Sequence, residues 1–350
     1  MNGARSKWAS ALAGVALVVA WAGGAMAAGP KVYVADEEAN TVSVLDAVSL
    51  RKVGSIAVGR KPHNVQVSPD GKYAWVTNNG EATKSGAEHA HEAMPKSEHE
   101  MMAGNGEVWV IDTGSEAVVD KIQVGMHPAH VVLTPDGRFA YVTNGGDNTV
   151  SVIDTMAQRQ IGTIAVGAYP HGIRLSPDGK QAYVANLKGA TVSVLDTEGR
   201  KEAAQIPVGK GPAQVGFTAD GRLAFVSLSE EDKVALIDPV TRKVISKVAV
   251  GTVPIQVYAT PDSRTLLVAN QGTRKKPGTT VSVVDLATLK TARTIETGSG
   301  AHGVAIDRDG RYAYVTNIYA NSVAVIDVNA GKVVATVAVG RGPNGVSVKP

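Results

Sequence analysis

The stretch that decides the fold is Tyr141-Val-Thr-Asn144, which is followed by Gly-Gly-Asp-Asn and then by Thr149-Val-Ser-Val-Ile-Asp154. The Val-Ser-Val core of the second segment shows the period-2 alternation and β-branched enrichment of a strand packed between two layers. The asparagine that ends the first segment is interpreted as a turn residue, because asparagine tolerates the backbone conformations of turns. Similar pairs of segments recur along the chain, so the sequence predicts an internal repeat.

The repeat period is set by a Val-Gly dipeptide (Thr-Gly in one copy) that ends each unit. Its glycines stand at positions 59, 125, 167, 209, 251, 298 and 340, at intervals of 66, 42, 42, 42, 47 and 42 residues. Each unit also contains a Gly-x-x-Pro approach and a short apolar strand that ends in a Pro-Asp-Gly type of turn. A period near 42 residues with four strand-like segments per unit predicts the blade of a β-propeller.

The repeats amount to seven blades, one of which the two ends of the chain build together. The C-terminal segment Pro343-Asn-Gly-Val-Ser-Val-Lys-Pro350 corresponds to the first strand of a unit, and Lys31-Val-Tyr-Val-Ala-Asp36 corresponds to the second. If these segments pair, the ring closes without an open strand edge. We therefore predict that residues 28–350 form one all-β domain, a seven-bladed β-propeller with four strands per blade and a composite closing blade.

The recurring tetrapeptides resemble those of the YVTN family of β-propeller repeat proteins. The copies that carry the resemblance are Trp75-Val-Thr-Asn78, Tyr141-Val-Thr-Asn144, Tyr183-Val-Ala-Asn186 and Tyr314-Val-Thr-Asn317. The resemblance covers residues 31–350, although one blade departs from it with Phe225-Val-Ser-Leu228. It implies a propeller scaffold of periplasmic or surface type. Similar propellers carry lactonases, amine dehydrogenase subunits and haem d1 domains, so the resemblance does not imply one activity.

The N-terminus has the pattern of a secretory signal peptide. Arg5 and Lys7 precede an apolar run from Trp8 to Ala25, and Ala25-Met-Ala27 provides a small-x-small cleavage site. We expect residues 1–27 to be removed, which leaves a periplasmic or secreted protein without a membrane span. A retained membrane anchor is the alternative.

Composition limits the classes of partner and cofactor. The formal net charge is +3 for the whole chain, and two of the basic residues belong to the predicted signal peptide, so no nucleic-acid partner is expected. The chain has no cysteine, which excludes disulfides and covalently attached c-type haem. It also lacks a phosphate-binding Walker loop, a Gly-x-Ser-x-Gly nucleophile motif and a His-Glu-x-x-His zinc motif.

Five of the eight histidines fall in or just after the Gly-x-x-Pro segment. They are His63, His127, His130, His171 and His302. In a propeller this segment links the outermost strand of one blade to the innermost strand of the next, so it lies near the mouth of the central channel. Imidazoles can bind metals, bind haem or transfer protons. We interpret these residues as a cofactor-binding mouth; hydrogen bonding to loop carbonyls is the alternative.

An insertion at 79–106 accounts for the 66-residue interval, and its composition predicts metal binding. It concentrates the residues His89, His91, His99, Met94, Met101, Met102, Glu88 and Glu92. Imidazole with thioether suits copper, whereas imidazole with carboxylate suits zinc or nickel. We predict a mobile metal-binding loop on the same face as the histidine mouth; the alternative is a solvated linker. A second irregularity, residues 271–279 with Arg274, Lys275 and Lys276, is interpreted as a solvated loop, with an anion or partner contact as the alternative.

These features favour an exported binding or scaffold protein over an enzyme. We expect it to hold a transition metal, copper or zinc, through the insertion and the histidine mouth. The first alternative is a propeller that binds a cofactor such as haem d1, associates with a dehydrogenase or opens a lactone, using His63, His130, His171 and His302. The second alternative is a protein-interaction platform. The expected partner is a metal ion or small ligand at the channel mouth, with a protein partner as a further candidate.

Overall fold

The computed structural model describes residues 29–80 and 106–349, which form seven four-stranded antiparallel sheets. No helix lies in these two ranges. We number the sheets as blades 1 to 7, starting from the first sheet whose four strands are consecutive in the chain. The predicted seven-bladed all-β propeller with four strands per blade is confirmed.

Blade 7 combines β1 (Lys31–Asp36), β2 (Thr41–Asp46) and β3 (Arg51–Ala57) with the last strand of the chain. In the other blades the innermost strand comes first. Blade 1 comprises β4 (Pro62–Val67), β5 (Tyr73–Asn78), β6 (Glu107–Asp112) and β7 (Ala117–Gln123), and blade 2 comprises β8 (Pro128–Leu133), β9 (Phe139–Asn144), β10 (Thr149–Asp154) and β11 (Arg159–Ala165). Blade 3 comprises β12 (Pro170–Leu175), β13 (Gln181–Asn186), β14 (Thr191–Asp196) and β15 (Lys201–Pro207). Blade 4 comprises β16 (Pro212–Phe217), β17 (Ala224–Leu228), β18 (Lys233–Asp238) and β19 (Lys243–Ala249), and blade 5 comprises β20 (Pro254–Ala259), β21 (Thr265–Gly272), β22 (Pro277–Asp285) and β23 (Lys290–Glu296). Blade 6 comprises β24 (Ala301–Ile306), β25 (Tyr312–Asn317), β26 (Ser322–Asp327) and β27 (Lys332–Ala338), and β28 (Pro343–Val348) completes blade 7.

Each blade is buried on both faces against its two neighbours. Seven clusters of buried apolar side chains fill the seven interfaces between adjacent blades. Between blades 3 and 4, Tyr183 and Val194 of one blade pack with Val226 and Ile237 of the other. Because apolar surface is removed from water at every interface, packing holds the ring together in a chain without disulfides.

The ring closes through the first and last described strands. Val32 pairs with Val348 and Val34 pairs with Val346 in antiparallel register, and the Lys349 amide donates to the Lys31 carbonyl at 2.7 Å. Blade 7 is therefore the composite blade that the two chain ends predicted, and its closure leaves β1 without an open edge.

The asparagine of the repeated tetrapeptide ends its strand where the chain turns, as predicted, and its side chain also makes a buried polar contact. Asn144 is the last residue of β9, and its side-chain amide donates to Thr149 Oγ1 at 3.0 Å and Ser151 Oγ at 2.9 Å. The left-handed backbone of the turn is adopted instead by Asn148, at a φ of 56°. The glycine of the Val-Gly dipeptide leaves room for this asparagine, since a Cβ at Gly125 would clash with the Asn144 side chain. Asn144 thus begins the turn, since the Asp147 amide donates to its carbonyl at 3.3 Å, and its side chain makes the buried polar contact.

The segment 271–279 of blade 5 is a hairpin whose tip, residues 273–277, is exposed to solvent, as the sequence predicted. It lengthens β21 and β22, and it begins with Gln271, whose side chain is buried. The Gln271 amide donates to the Tyr319 hydroxyl of blade 6 at 3.0 Å. At its tip the Arg274 guanidinium donates to Glu38 of blade 7 at 3.1 Å. The hairpin therefore reaches across blade 6 at the channel mouth.

Two groups of predictions fall outside the described residues. The predicted signal peptide at 1–27 is one, and the eight predicted metal ligands of the insertion, from Glu88 to Met102, are the other. Asn78 ends β5 opposite Glu107, the first residue of β6, so the insertion leaves and rejoins blade 1 at the channel end that carries the start of β4. Within residues 29–80 and 106–349, no helix has the length and hydropathy that a membrane crossing requires.

Candidate metal centre

The first residues of the innermost strands carry the histidines into the channel. His63, His171 and His302 are the second residues of β4, β12 and β24, and His130 is the third residue of β8. The pairing register shifts within the first four residues of β12 and of β24, so the backbone bulges where the strand enters the channel. All four side chains are buried. Strand order thus places them at one end of the channel.

Three of these histidines, from the consecutive blades 1, 2 and 3, form a compact cluster. The ring centroids of His63 and His171 are 5.1 Å apart, those of His130 and His171 are 5.0 Å apart, and those of His63 and His130 are 5.7 Å apart. One nitrogen of each ring lies within 4.8 Å of the others. We call these three residues the histidine cluster. In the described part of the chain, no other group of three His, Asp or Glu side chains is as close.

Hydrogen bonds around the cluster define the tautomers of two rings. The Asn344 amide donates to His63 Nδ1 at 3.2 Å, so the His63 proton is on Nε2. That nitrogen lies 3.2 Å from His171 Nε2, which accepts. His171 Nδ1 donates to the Ala213 carbonyl at 2.9 Å, so the His171 proton is on Nδ1. His171 therefore presents an unprotonated Nε2 to the centre of the cluster.

His130 is the least solvated member of the cluster. It is fully buried, and neither ring nitrogen has a hydrogen-bond partner among the described residues. Burial holds the pKa of His130 well below its ordinary value, and the neighbouring His171 and His63 lower it further. The ring is therefore neutral at physiological pH, which is the form in which imidazole binds a metal.

A side-chain hydroxyl fixes the backbone of two cluster members relative to each other. Thr143 Oγ1 accepts from the His130 amide at 3.0 Å and donates to the His171 carbonyl of the next blade at 2.6 Å. We call this contact the hydroxyl bridge. Equivalent bridges occur at Thr77, Ser227 and Thr316. The threonine of the repeated tetrapeptide thus joins adjacent blades, and here it positions His130 and His171.

The donor set fits a small transition-metal ion. In a tetrahedral zinc site with Zn–N bonds of about 2.0–2.1 Å, the nitrogens are about 3.3 Å apart. The 3.2 Å between His63 Nε2 and His171 Nε2 is close to this separation. The His130 nitrogens have no competing hydrogen bond in the described structure, so its ring can turn to supply the third ligand. Three neutral imidazoles suit zinc or copper better than magnesium or calcium, which prefer oxygen ligands.

Two predicted mouth residues lie outside the cluster. His302 belongs to blade 6, which blade 7 separates from His63, and its Nδ1 bonds to Gln271 Oε1 at 2.8 Å. His127 precedes Pro128 in the approach to β8, half-buried and with a left-handed φ of 52°. The structure therefore groups three of the five predicted histidines and leaves these two apart.

Sequence reasoning missed two residues beside the cluster. Asn344 donates to Glu37 Oε2 at 2.7 Å as well as to His63, and Glu37 Oε2 lies 3.8 Å from His63 Nδ1. Both belong to blade 7, one on β28 and the other in the turn between β1 and β2. Asn344 could have been found, because it occupies the repeat position of His63. Glu37 had no signal, because its turn is remote in sequence from every histidine.

The fold and the cluster define a seven-bladed propeller with a histidine-lined channel mouth. The profile of the YNCE-like beta-propeller family matches residues 82–262 and 261–349, and the chain belongs to this family. Antigen Lp49 of Leptospira interrogans is 30% identical over 114 residues, a match that covers 33% of this chain and 23% of the antigen. The chain therefore spans less than a quarter of that relative's length.

Solved structures share the fold at low sequence identity. Hydrazine synthase of Kuenenia stuttgartiensis is 23% identical with a TM-score of 0.69, over 82% of this chain and 89% of that one. The periplasmic gluconolactonase PpgL of Pseudomonas aeruginosa is 19% identical with a TM-score of 0.72, over 92% of this chain and 99% of that one. At such identities the likeness establishes the propeller fold and leaves the chemistry to the site.

Proposed function

We propose that this protein is an exported metal-binding propeller in which His63, His130 and His171 hold one copper or zinc ion at the channel mouth. The observation that carries the proposal is the convergence of three buried imidazoles whose nitrogens lie within 4.8 Å of one another. Export is supported by the signal-peptide pattern of residues 1–27 and agrees with the periplasmic location in the name of PpgL.

The fold itself does not require histidines at these places. The positions equivalent to His63 carry Ala129, Ala213 and Ile255 in blades 2, 4 and 5, and those blades form complete four-stranded sheets like the others. A buried polar ring without hydrogen bonds, as at His130, costs about 1–3 kcal/mol relative to a satisfied one. An ion that bonds to the ring offsets this cost, and this is the reason to favour a ligand role over a structural one.

The surroundings of His63 support a change of tautomer when the ion binds. A metal replaces the proton on His63 Nε2, so the neutral ring then carries its proton on Nδ1. That atom faces Glu37 Oε2 at 3.8 Å. Metal-ligating histidines commonly donate their second N–H to a carboxylate, which orients the ring and raises its basicity. Glu37 takes this role for His63 once the Asn344 amide, which donates to Nδ1 in the metal-free tautomer, turns away and the 3.8 Å gap closes.

Titration of metal-free protein with Zn²⁺ and Cu²⁺ by calorimetry tests the proposal. We expect one ion per chain at the cluster, and we expect His130→Ala to weaken its binding by about 100-fold or more. The reason is that loss of residues that merely orient a ligand already weakens metal binding roughly 10–100-fold. Copper should bind more tightly than zinc, as the usual order of stability predicts.

Two variants serve as controls. His302→Gln changes a buried channel histidine outside the cluster and should leave the affinity unchanged. Replacing His89, His91 and His99 together by glutamine removes the imidazoles of the insertion, so any additional ions bound there are lost while the cluster site remains. Equal affinity and stoichiometry in wild type and His130→Ala would contradict the proposal.

A further inference from the structure

Arg174 is a charged side chain in the channel wall that the proposed metal centre does not use. β12 carries it three residues beyond His171, which places it about 10 Å farther along the channel at about 3.3 Å per residue. All seven innermost strands are described, and Arg174 is the one Lys, Arg, Asp or Glu that they contain. These strands therefore give the channel one fixed positive charge and no negative charge.

The contacts of Arg174 do not balance its charge. Its Nη1 donates to the Ile173 carbonyl at 3.0 Å, and its Cζ lies 5.9 Å from the centre of the Tyr258 ring. Within the described residues no carboxylate forms an ion pair with it. Arg174 is half-buried, and a cation at this distance from a ring gains only about 0.5–1 kcal/mol at an exposed site, so the contact with Tyr258 does not make up for the water that the charge has lost. Burial lowers the pKa of Arg174, but a guanidinium remains charged in proteins.

Buried side-chain N–H groups without partners lie on the neighbouring innermost strands. The side chain of Gln214 is 1% exposed, and neither its Oε1 nor its Nε2 has a hydrogen-bond partner in the described structure. Its Oε1 lies against Gly172, where any Cβ would clash with it, and this position is two residues before Arg174. Gln256 is 2% exposed and likewise has an Nε2 without a partner. These N–H groups are donors that a ligand can satisfy.

We propose that the channel binds a small oxyanion, the carboxylate or phosphate group of a small molecule, through the Arg174 guanidinium and the Gln214 amide. A guanidinium presents its N–H groups as a planar fork that matches both kinds of oxyanion. The inference rests on the proposed function in one respect: a metal ion on the histidine cluster adds positive charge to the same channel.

The proposed function leaves a place for such a ligand. Three imidazoles supply three of the four bonds of a tetrahedral ion, and a site of this kind keeps one position for water or a substrate. Neutral imidazoles do not compensate the charge of a divalent ion, and the single carboxylate beside them, Glu37, offsets only part of it, so an anion is the favoured occupant. β12 places Arg174 about 10 Å from His171, so a molecule whose carboxylate or phosphate group is held by Arg174 and Gln214 reaches the open metal position only with another part of its structure.

Thermal unfolding of the full chain, with sodium phosphate or sodium acetate added at constant ionic strength, tests the anion site. The wild-type Tm should rise with the concentration of at least one of the two anions. Arg174→Gln should weaken this binding by about 10-fold or more, and Arg174→Lys should retain part of it, since lysine keeps the charge and loses the fork. Gln214→Leu should raise the Tm without anion and weaken the anion effect, because the buried unpaired amide is removed.

Controls separate this inference from the metal proposal. Arg222→Gln removes an exposed arginine that pairs with Asp220 and should leave the anion effect unchanged. Each titration is run with EDTA and again with zinc. Failure of zinc to bind would overturn the proposed function, while the EDTA series would still measure the anion site. An equal anion effect in wild type and Arg174→Gln, with zinc binding intact, would overturn the anion site alone.

Discussion

Equivalent residues of the repeat do not make equivalent contacts. Tyr33 and Tyr141 occupy the same position in blades 7 and 2, and both are fully buried. The Tyr141 hydroxyl donates to the Thr197 carbonyl at 2.9 Å, whereas the Tyr33 hydroxyl has no hydrogen-bond partner among the described residues. The repeat therefore selects the aromatic ring for packing between blades, and the hydroxyl contributes only where a carbonyl is in reach.

This difference predicts opposite outcomes for one chemical change. Tyr141→Phe should destabilise the protein by about 1 kcal/mol, the usual net value of one hydrogen bond. Tyr33→Phe should be neutral or slightly stabilising, because it removes a buried hydroxyl that makes no bond. Urea unfolding of the two variants beside wild type measures the difference. A similar loss of stability in both variants would show that the contact at Tyr141 does not matter.

At the scale of the strand, the hydroxyl bridge explains why a hydroxyl side chain stands at Thr143, which the repeat pattern alone does not explain. The sequence predicted the strands, their order and the position of Thr143 at a strand end, because these follow from period and β-branched content. It could not predict the bridge, since the partner is the backbone carbonyl of His171 and no side-chain signal marks it. His302 shows the same limit, because it shares the repeat position of His63 and lies two blades away, as His171 does, yet its ring is bonded to Gln271.

The bridge at Thr143 should affect both stability and metal binding. Thr143→Val leaves the His130 amide and the His171 carbonyl without this partner, so we expect a loss of about 1–3 kcal/mol. Metal affinity should fall by about 10-fold, as for residues that orient a ligand. Thr143→Ser should restore both values. Calorimetric titration and urea unfolding measure them.

Ser227 provides the matched control for Thr143. Its hydroxyl accepts from the backbone amide of Gln214 in blade 4 and donates to the backbone carbonyl of Ile255 in blade 5. No cluster histidine takes part in this bridge. Ser227→Ala should therefore lower stability and leave metal affinity unchanged. If both substitutions weaken metal binding equally, the bridge acts through general stability and not through ligand position.

For the whole molecule, the composite blade links closure of the ring to the histidine cluster. β28 supplies the inner strand of blade 7 and also Asn344, which bonds to His63 and Glu37. The sequence predicted this closure because the two ends of the chain are complementary parts of one repeat. It did not predict the link to the cluster, because the contact between Asn344 and His63 depends on three-dimensional positions in blades 7 and 1.

Deleting residues 344–350 should lower the Tm by about 10 °C or more, given that each kcal/mol lowers Tm by roughly 2–4 °C in large domains. The deletion exposes the edge of β1 and the apolar faces of its neighbours. It should also weaken metal binding, because β28 packs beside β4, the strand that carries His63. A synthetic peptide of residues 343–350 should restore part of the Tm and part of the metal affinity, because it adds a strand to the open edge. An unchanged Tm would contradict closure by β28.

The pairing of β1 with β28 also has a consequence in time. When the chain is synthesised, β1 is made early, and its partner strand is the last of the described strands to be made. Until then one edge of blade 7 lacks its partner, and pairings between such distant parts of a chain form slowly. An unpaired edge is also prone to join other chains. The newly made protein therefore passes through an interval in which it depends on protection from aggregation, and that interval ends when its last strand docks.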